Sequence, residues 1–162
     1  MRCVASVVFY LIAAVSPVSA NTLTLSDAGA ANRINGSLLA AVKDINQARK
    51  GMIQANDFSA NSVCVEEIQH NLIIVQSDVE HLAALLLIDA QMTDTGDEVT
   101  VLNVTKIEID QFLTEAPDIR AEMNRLSGVC SRFPLPVAKA LQSIGLIDQA
   151  IALVKSISQR LH

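Results

Sequence analysis

The chain is predicted to be all-α: an up-down-up-down antiparallel four-helix bundle following a cleaved signal peptide, with one disulfide bracing the second and third helices. Three observations carry this expectation. Four segments repeat apolar residues at alternating spacings of three and four, which puts them on one face of a helix. Turn and cap residues separate those segments. Cys64 and Cys130 lie equidistant from Asp97, inside the clearest turn, residues 93–97.

Residues 1–20 read as an export signal, with Arg2 as a short positive region, an apolar stretch over residues 7–15, and Val18, Ser19 and Ala20 at the cleavage site. Cleavage after Ala20 predicts a secreted or periplasmic protein. The apolar stretch is short against the roughly 20 residues that span a bilayer, so no stable transmembrane anchor is expected. Residues 21–162 then form a single four-helix bundle domain, large enough for one real core.

In the first helix the apolar series is Ala31, Ile34, Leu38, Ala41, Ile45, Ala48, Met52 and Ala55. Residues 56–62 supply N-caps for the second, whose series Val65, Ile68, Leu72, Val75, Val79, Leu82 and Leu86 is unbroken. Thr95 and Glu98 form a capping-box pattern before the third helix. Its series runs Leu102, Thr105, Ile109, Phe112, Ala116, Ile119, Met123 and Leu126 to Cys130, with Thr105 the one hydroxyl residue. Gly128 is expected to close this helix in a left-handed conformation, with residues 131–136 as a stiff corner. The fourth series is Val137, Ala140, Ile144, Ile147, Ile151, Val154, Ser158 and Leu161.

Antiparallel helices folded back at residues 93–97 bring Cys64 and Cys130 to the same level. Two cysteines remaining in an exported chain are expected to pair. Closing a loop of this length stabilises the fold by roughly 4 kcal/mol in the chain-entropy model.

Composition narrows the function. Removing Arg2 leaves 11 Lys and Arg against 17 Asp and Glu, with both signs interspersed. Nucleic acid is therefore not an expected partner, since phosphate binding needs a basic face. The chain has no Trp, one Tyr and four Phe, which disfavours ligands held on aromatic faces. No nucleophile motif or phosphate-cradling glycine loop occurs, so no catalytic or cofactor-binding residue is assigned and none of the common cofactors is expected. Glu67 with His70, and Asp78 with His81, have the i, i+3 spacing of metal-binding bundles, but both pairs fall off the apolar stripe and are read as solvent-facing. No metal site is expected. Asn35-Gly36-Ser37 and Asn103-Val104-Thr105 fit the N-glycosylation pattern but fall in predicted helices.

Two features stand out. On the second helix Ile73, Ile74, Ala84, Leu87 and Ile88 lie away from the core stripe, and a helix apolar on two sides offers a face to a neighbour, a partner or a second copy. Pro117 interrupts the third helix, where a kink frees the Leu113 carbonyl and could assemble Ser77, Asp78, His81, Thr114 and Glu115 around a polar opening. The leading expectation is an exported, non-enzymatic interaction or structural module of the cell envelope or extracellular space. The alternatives are a carrier of a small hydrophobic or lipid-like ligand, and an enzyme or metal protein using residues 77–81.

Overall fold

The computed structural model describes residues 23–56, 60–92, 98–130 and 134–161. They form four α-helices: α1 (Leu25–Gln54), α2 (Ala60–Gln91), α3 (Glu98–Val129) and α4 (Pro134–Leu161). At 1.5 Å per residue, helices of 28 to 32 residues are roughly 40 to 50 Å long. The signal segment 1–20, the turn 93–97 and the Thr95 cap lie outside the described residues.

Helix α1 begins six residues before the first position of its predicted stripe, and local chemistry explains why. Thr24 is an extended N-cap whose hydroxyl accepts from the Asp27 amide (3.3 Å), while the Asp27 carboxylate accepts from the Thr24 amide (2.9 Å) and hydroxyl (2.8 Å). This capping box satisfies amides that would otherwise lack partners at the helix start. Leu23 just before the cap and Ala28 at the fourth helical position are both buried, as in a hydrophobic staple. At the other end Asn56 takes a positive φ of 54° and its amide donates to the Ile53 carbonyl. Asparagine tolerates the left-handed region better than most side chains, which suits it to this stop.

The core is aliphatic and continuous. All seven predicted stripe residues of α2 are at most 3% exposed. On α3 Thr105, Ile109, Phe112, Ala116, Met123 and Leu126 are buried, as is Cys130 just beyond its end, with Leu102 and Ile119 partly so. A fully buried Leu or Ile contributes roughly 1.5–3 kcal/mol of transfer free energy. Helix α1 packs on α2 and α4, and α3 packs on α2 and α4. Helices α2 and α4 also touch across the diagonal, and no α1–α3 contact occurs among the described residues.

Polar pairs bridge the neighbours. Gln76 donates to Asn35 (3.0 Å) and Arg49 pairs with Glu66 (2.6 Å) between α1 and α2. Glu67 lies 3.9 Å from Arg125, and His81 lies 3.7 Å from Glu108, between α2 and α3. Arg120 pairs with Asp148 between α3 and α4. Lys139 pairs with Asp44, and Arg160 with Asp27 (2.7 Å), between α4 and α1.

Three sequence expectations need correction. Gly128 does not close α3 in a left-handed conformation: no described glycine has positive φ, and α3 runs to Val129, with the Cys130 amide still donating to the Leu126 carbonyl (2.8 Å). Burial of Cys130 in the core and its covalent link keep the chain helical through the glycine. Residues 134–136 of the expected corner belong to α4, which begins at Pro134, and residues 131–133 lie outside the described residues. Prolines are tolerated in a first turn, where the amide hydrogen they lack has no intrahelical acceptor. On α4 the buried positions after Ile147 are Ala150, Val154 and Ile157, not Ile151 and Ser158. A straight helix drifts against a strict seven-residue repeat, and here the drift moves the seam by one residue.

Candidate functional site

Cys64 near the start of α2 and Cys130 just after α3 are joined by a disulfide across 66 residues, with Cα atoms 5.8 Å apart. Cys130 is fully buried and Cys64 packs against the core. The bond ties the first turns of α2 to the end of α3, as the spacing predicts.

Along that seam, nearer its middle, the residues expected around Pro117 separate into two groups. Asp78 is half-buried, and its carboxyl is raised above the usual range by burial first, then by the negative charges of Glu115 and Glu108, with His81 opposing. Thr114 does not join it: its hydroxyl donates to the Asp110 carbonyl of its own helix (2.8 Å), and Ser77 is exposed. Pro117 lies inside α3 and is exposed, with helix on both sides. A small cavity of about 10 Å³ is lined by Asp78, Leu82, Glu108, Gln111 and Phe112, space for about one water. Glu108 and Gln111 were not in the sequence-derived set. Their signal is register: Gln111 falls one turn and Glu108 two turns before Glu115, on the side of α3 that meets α2, which a single-helix reading leaves open.

Buried hydroxyls are spent locally. Thr105 donates to the Val101 carbonyl (3.0 Å), Ser143 to Lys139 (2.7 Å) and Ser127 to Asn124 (2.8 Å). Back-bonding of this kind satisfies a hydroxyl within its own helix. Among the described residues, no three His, Cys, Asp or Glu side chains are grouped to hold a metal ion. Glu67 and His70 are both exposed.

The outer face of α2 is the other candidate. Ile73 is 43% exposed, Leu87 37% and Ile88 47%; Ala84 is exposed and Ile74 half-buried. The stretches Val63–Gln91 and Ala138–Leu161 are each long and apolar enough, by length and composition, to cross a membrane. Of the residues in their most apolar windows, 39% and 33% are buried in the bundle. Between α1 and α4 runs an open groove of about 420 Å³, with Ala30, Ile34, Leu146 and Leu153 as apolar walls and Arg33, Ser37 and Gln149 as polar ones.

No known protein family, curated protein or solved structure matches the chain.

Proposed function

We propose that this chain is an exported, non-enzymatic interaction module of the cell envelope or extracellular space. It consists of one up-down-up-down bundle released by cleavage after Ala20, and it binds protein through the outer face of α2. The observation that carries the reading is the exposure of Ile73, Leu87 and Ile88 on a helix whose inner face is already complete. An apolar face left to water costs solubility, and such faces mark contact sites. The antiparallel path is supported by the order of the cross-helix pairs: on α1 and α4, Asp27 meets Arg160 and Asp44 meets Lys139, and Glu67–Arg125 and His81–Glu108 run in the same opposed sense on α2 and α3. The disulfide supports an oxidising compartment.

The test joins export to binding. Mass spectrometry of the native protein is expected to find Asn21 as its first residue. Cross-linking in the native envelope is expected to capture a defined partner that the Ile73→Asp/Leu87→Asp variant loses; equal capture by a folded variant overturns the reading.

A second reading, a carrier of a small amphiphile, is favoured by the α1–α4 groove. Its apolar walls would take a chain, and the Arg33 guanidinium an anionic head. Native mass spectrometry of protein incubated with a C16 fatty acid is expected to find a one-to-one complex that Arg33→Ala weakens. Absence of that complex removes this reading.

A further inference from the structure

We propose that the protein self-associates, α2 packing antiparallel against α2 of a second copy across a two-fold axis midway between Glu80 and His81. The proposal rests on the outer face of α2 being an interaction surface, and it names the partner.

The face reads nearly the same in both directions from that point. A two-fold axis there sets Ile73 of one copy opposite Ile88 of the other, and Ile74 opposite Leu87. One turn nearer the axis, Ser77 meets Ala84, two small residues that let the helix backbones approach. At the axis Glu80 meets His81, an acceptor against a donor, and symmetry makes the contact twice. A C2 interface requires this self-complementarity, in which a residue that contacts a second is met in turn by its counterpart.

Periodicity supports the same geometry. Ser77 and Ala84 are seven residues apart, as are Ile73, Glu80 and Leu87, and Ile74, His81 and Ile88. Sustained seven-residue spacing keeps two helices in contact along their length. Within one copy these groups are available. Ile73, Leu87 and Ile88 are exposed, Ser77 and Ala84 are at the surface, and the His81 side chain is 58% exposed. Glu80 accepts from Gln76 on its own helix (2.7 Å), an exposed bond that leaves its carboxylate further acceptor capacity. His81 turns Nδ1 toward Glu108, and with both ring nitrogens carrying hydrogen it has Nε2–H left to donate to Glu80 of the second copy.

The contact is modest. From residue 73 to residue 88 the helix extends about 22 Å. A single pair of helices of that length buries roughly 1,000 Å² in total, below the usual size of about 1,600 Å² for a stable complex. The expected dimer is therefore weak, with a dissociation constant on the order of 1–100 μM.

Sedimentation equilibrium of the disulfide-closed, signal-free protein is expected to give twice the protomer mass at high concentration. Ile73→Asp/Leu87→Asp, with its helical circular dichroism intact, is expected to raise the dissociation constant at least ~100-fold. Register is read by oxidation: an equimolar mixture of Ser77→Cys and Ala84→Cys proteins is expected to cross-link as a heterodimer, while Ser77→Cys alone is not. Its own copy lies seven residues away, about 10 Å along the axis, beyond the reach of a disulfide. Glu80→Lys and His81→Glu are each expected to weaken association, and the double exchange to restore it.

A monomer at every concentration overturns the proposal. If that monomer still loses a captured protein on Ile73→Asp/Leu87→Asp, the interaction reading stands and the second copy falls. If the monomer instead floats with phosphatidylcholine vesicles and the variant does not, the face belongs to lipid and both fall. Efficient cross-linking of Ser77→Cys alone overturns the axis.

Discussion

The α1–α4 seam and the α2–α3 seam use electrostatics in opposite ways. On the first, opposite charges meet at two levels, Asp27 with Arg160 and Asp44 with Lys139. On the second, Glu67 lies near Arg125, but at mid-seam the charges of Glu108 and Glu115 act against the Asp78 carboxylate with His81 opposing them, and the helices are held at one end by Cys64–Cys130. Asp27 shows what pairing achieves: burial pushes its carboxyl up, but Arg160 and the Thr24 donors outweigh that and hold it below the usual range. Asp78, also sheltered but facing like charges, shifts the other way. A covalent link needs no charge complementarity, and here it lies on the seam whose middle gathers like charge around Asp78.

Removing that link is expected to have the largest effect. Cys64→Ala/Cys130→Ala should lower the unfolding free energy by about 4 kcal/mol in urea titrations at neutral pH. A loss below about 1 kcal/mol would mean that apolar packing alone holds the α2–α3 seam.

Next is Asp27→Ala, which removes the carboxylate arm of the capping box and an ion pair together, leaving the Thr24 cap, and is expected to cost about 1–2 kcal/mol at neutral pH. Because the folded-state pKa of Asp27 is depressed, its stabilisation is present above the unfolded pKa and lost as pH falls through the folded one. Wild-type and variant stabilities should converge in acid; a difference that persists there would assign the effect to packing.

Asp78→Asn should act in the opposite sense. A raised folded-state pKa means that the protonated carboxyl favours folding below the unfolded pKa, and that this contribution is lost as pH rises through the folded pKa. The variant is expected to be more stable than wild type at neutral pH, by less than about 1 kcal/mol because the carboxyl is partly solvated. Its advantage should shrink on acidification. A destabilised variant at neutral pH would break the comparison, since the carboxylate would then have a favourable partner.

Arg120→Ala is expected to change least. The Arg120–Asp148 pair is solvent-facing, and screening with side-chain entropy cancels most of an exposed pair's attraction. A urea midpoint unchanged in 0.5 M salt and barely shifted in low salt would fit that expectation.

What could be read in the sequence follows which interactions are local and which need a third dimension. The core stripe of α2 was legible because seven apolar positions in strict spacing leave one orientation. The cysteine pairing was legible because chain length about a turn fixes level. The α4 seam was misplaced by one residue because Ala150 and Ile151 are both apolar, and helix drift decides between them and carries the seam on to Ile157 in place of Ser158. The Thr24 cap stands in the sequence as Thr-x-x-Asp, but it lies seven residues before Ala31, where no apolar periodicity marks a helix start. Glu108 and Gln111 could not be found from α3 alone, because the rotation of α3 against α2 sets which polar residues face Asp78. The outer residues of α2 were legible as apolar but not as exposed, since another helix could have covered them.

Phe112 carries the one phenyl ring among the described residues, and it lines the same small cavity as Leu82 and Asp78. In a core otherwise aliphatic, its magnetic anisotropy has no competitor there. Among the described residues, the methyl groups of Leu82 and its immediate surroundings are therefore the ones expected to be displaced upfield in a proton spectrum. A displacement of α2 along α3 should therefore move the Leu82 methyl resonances.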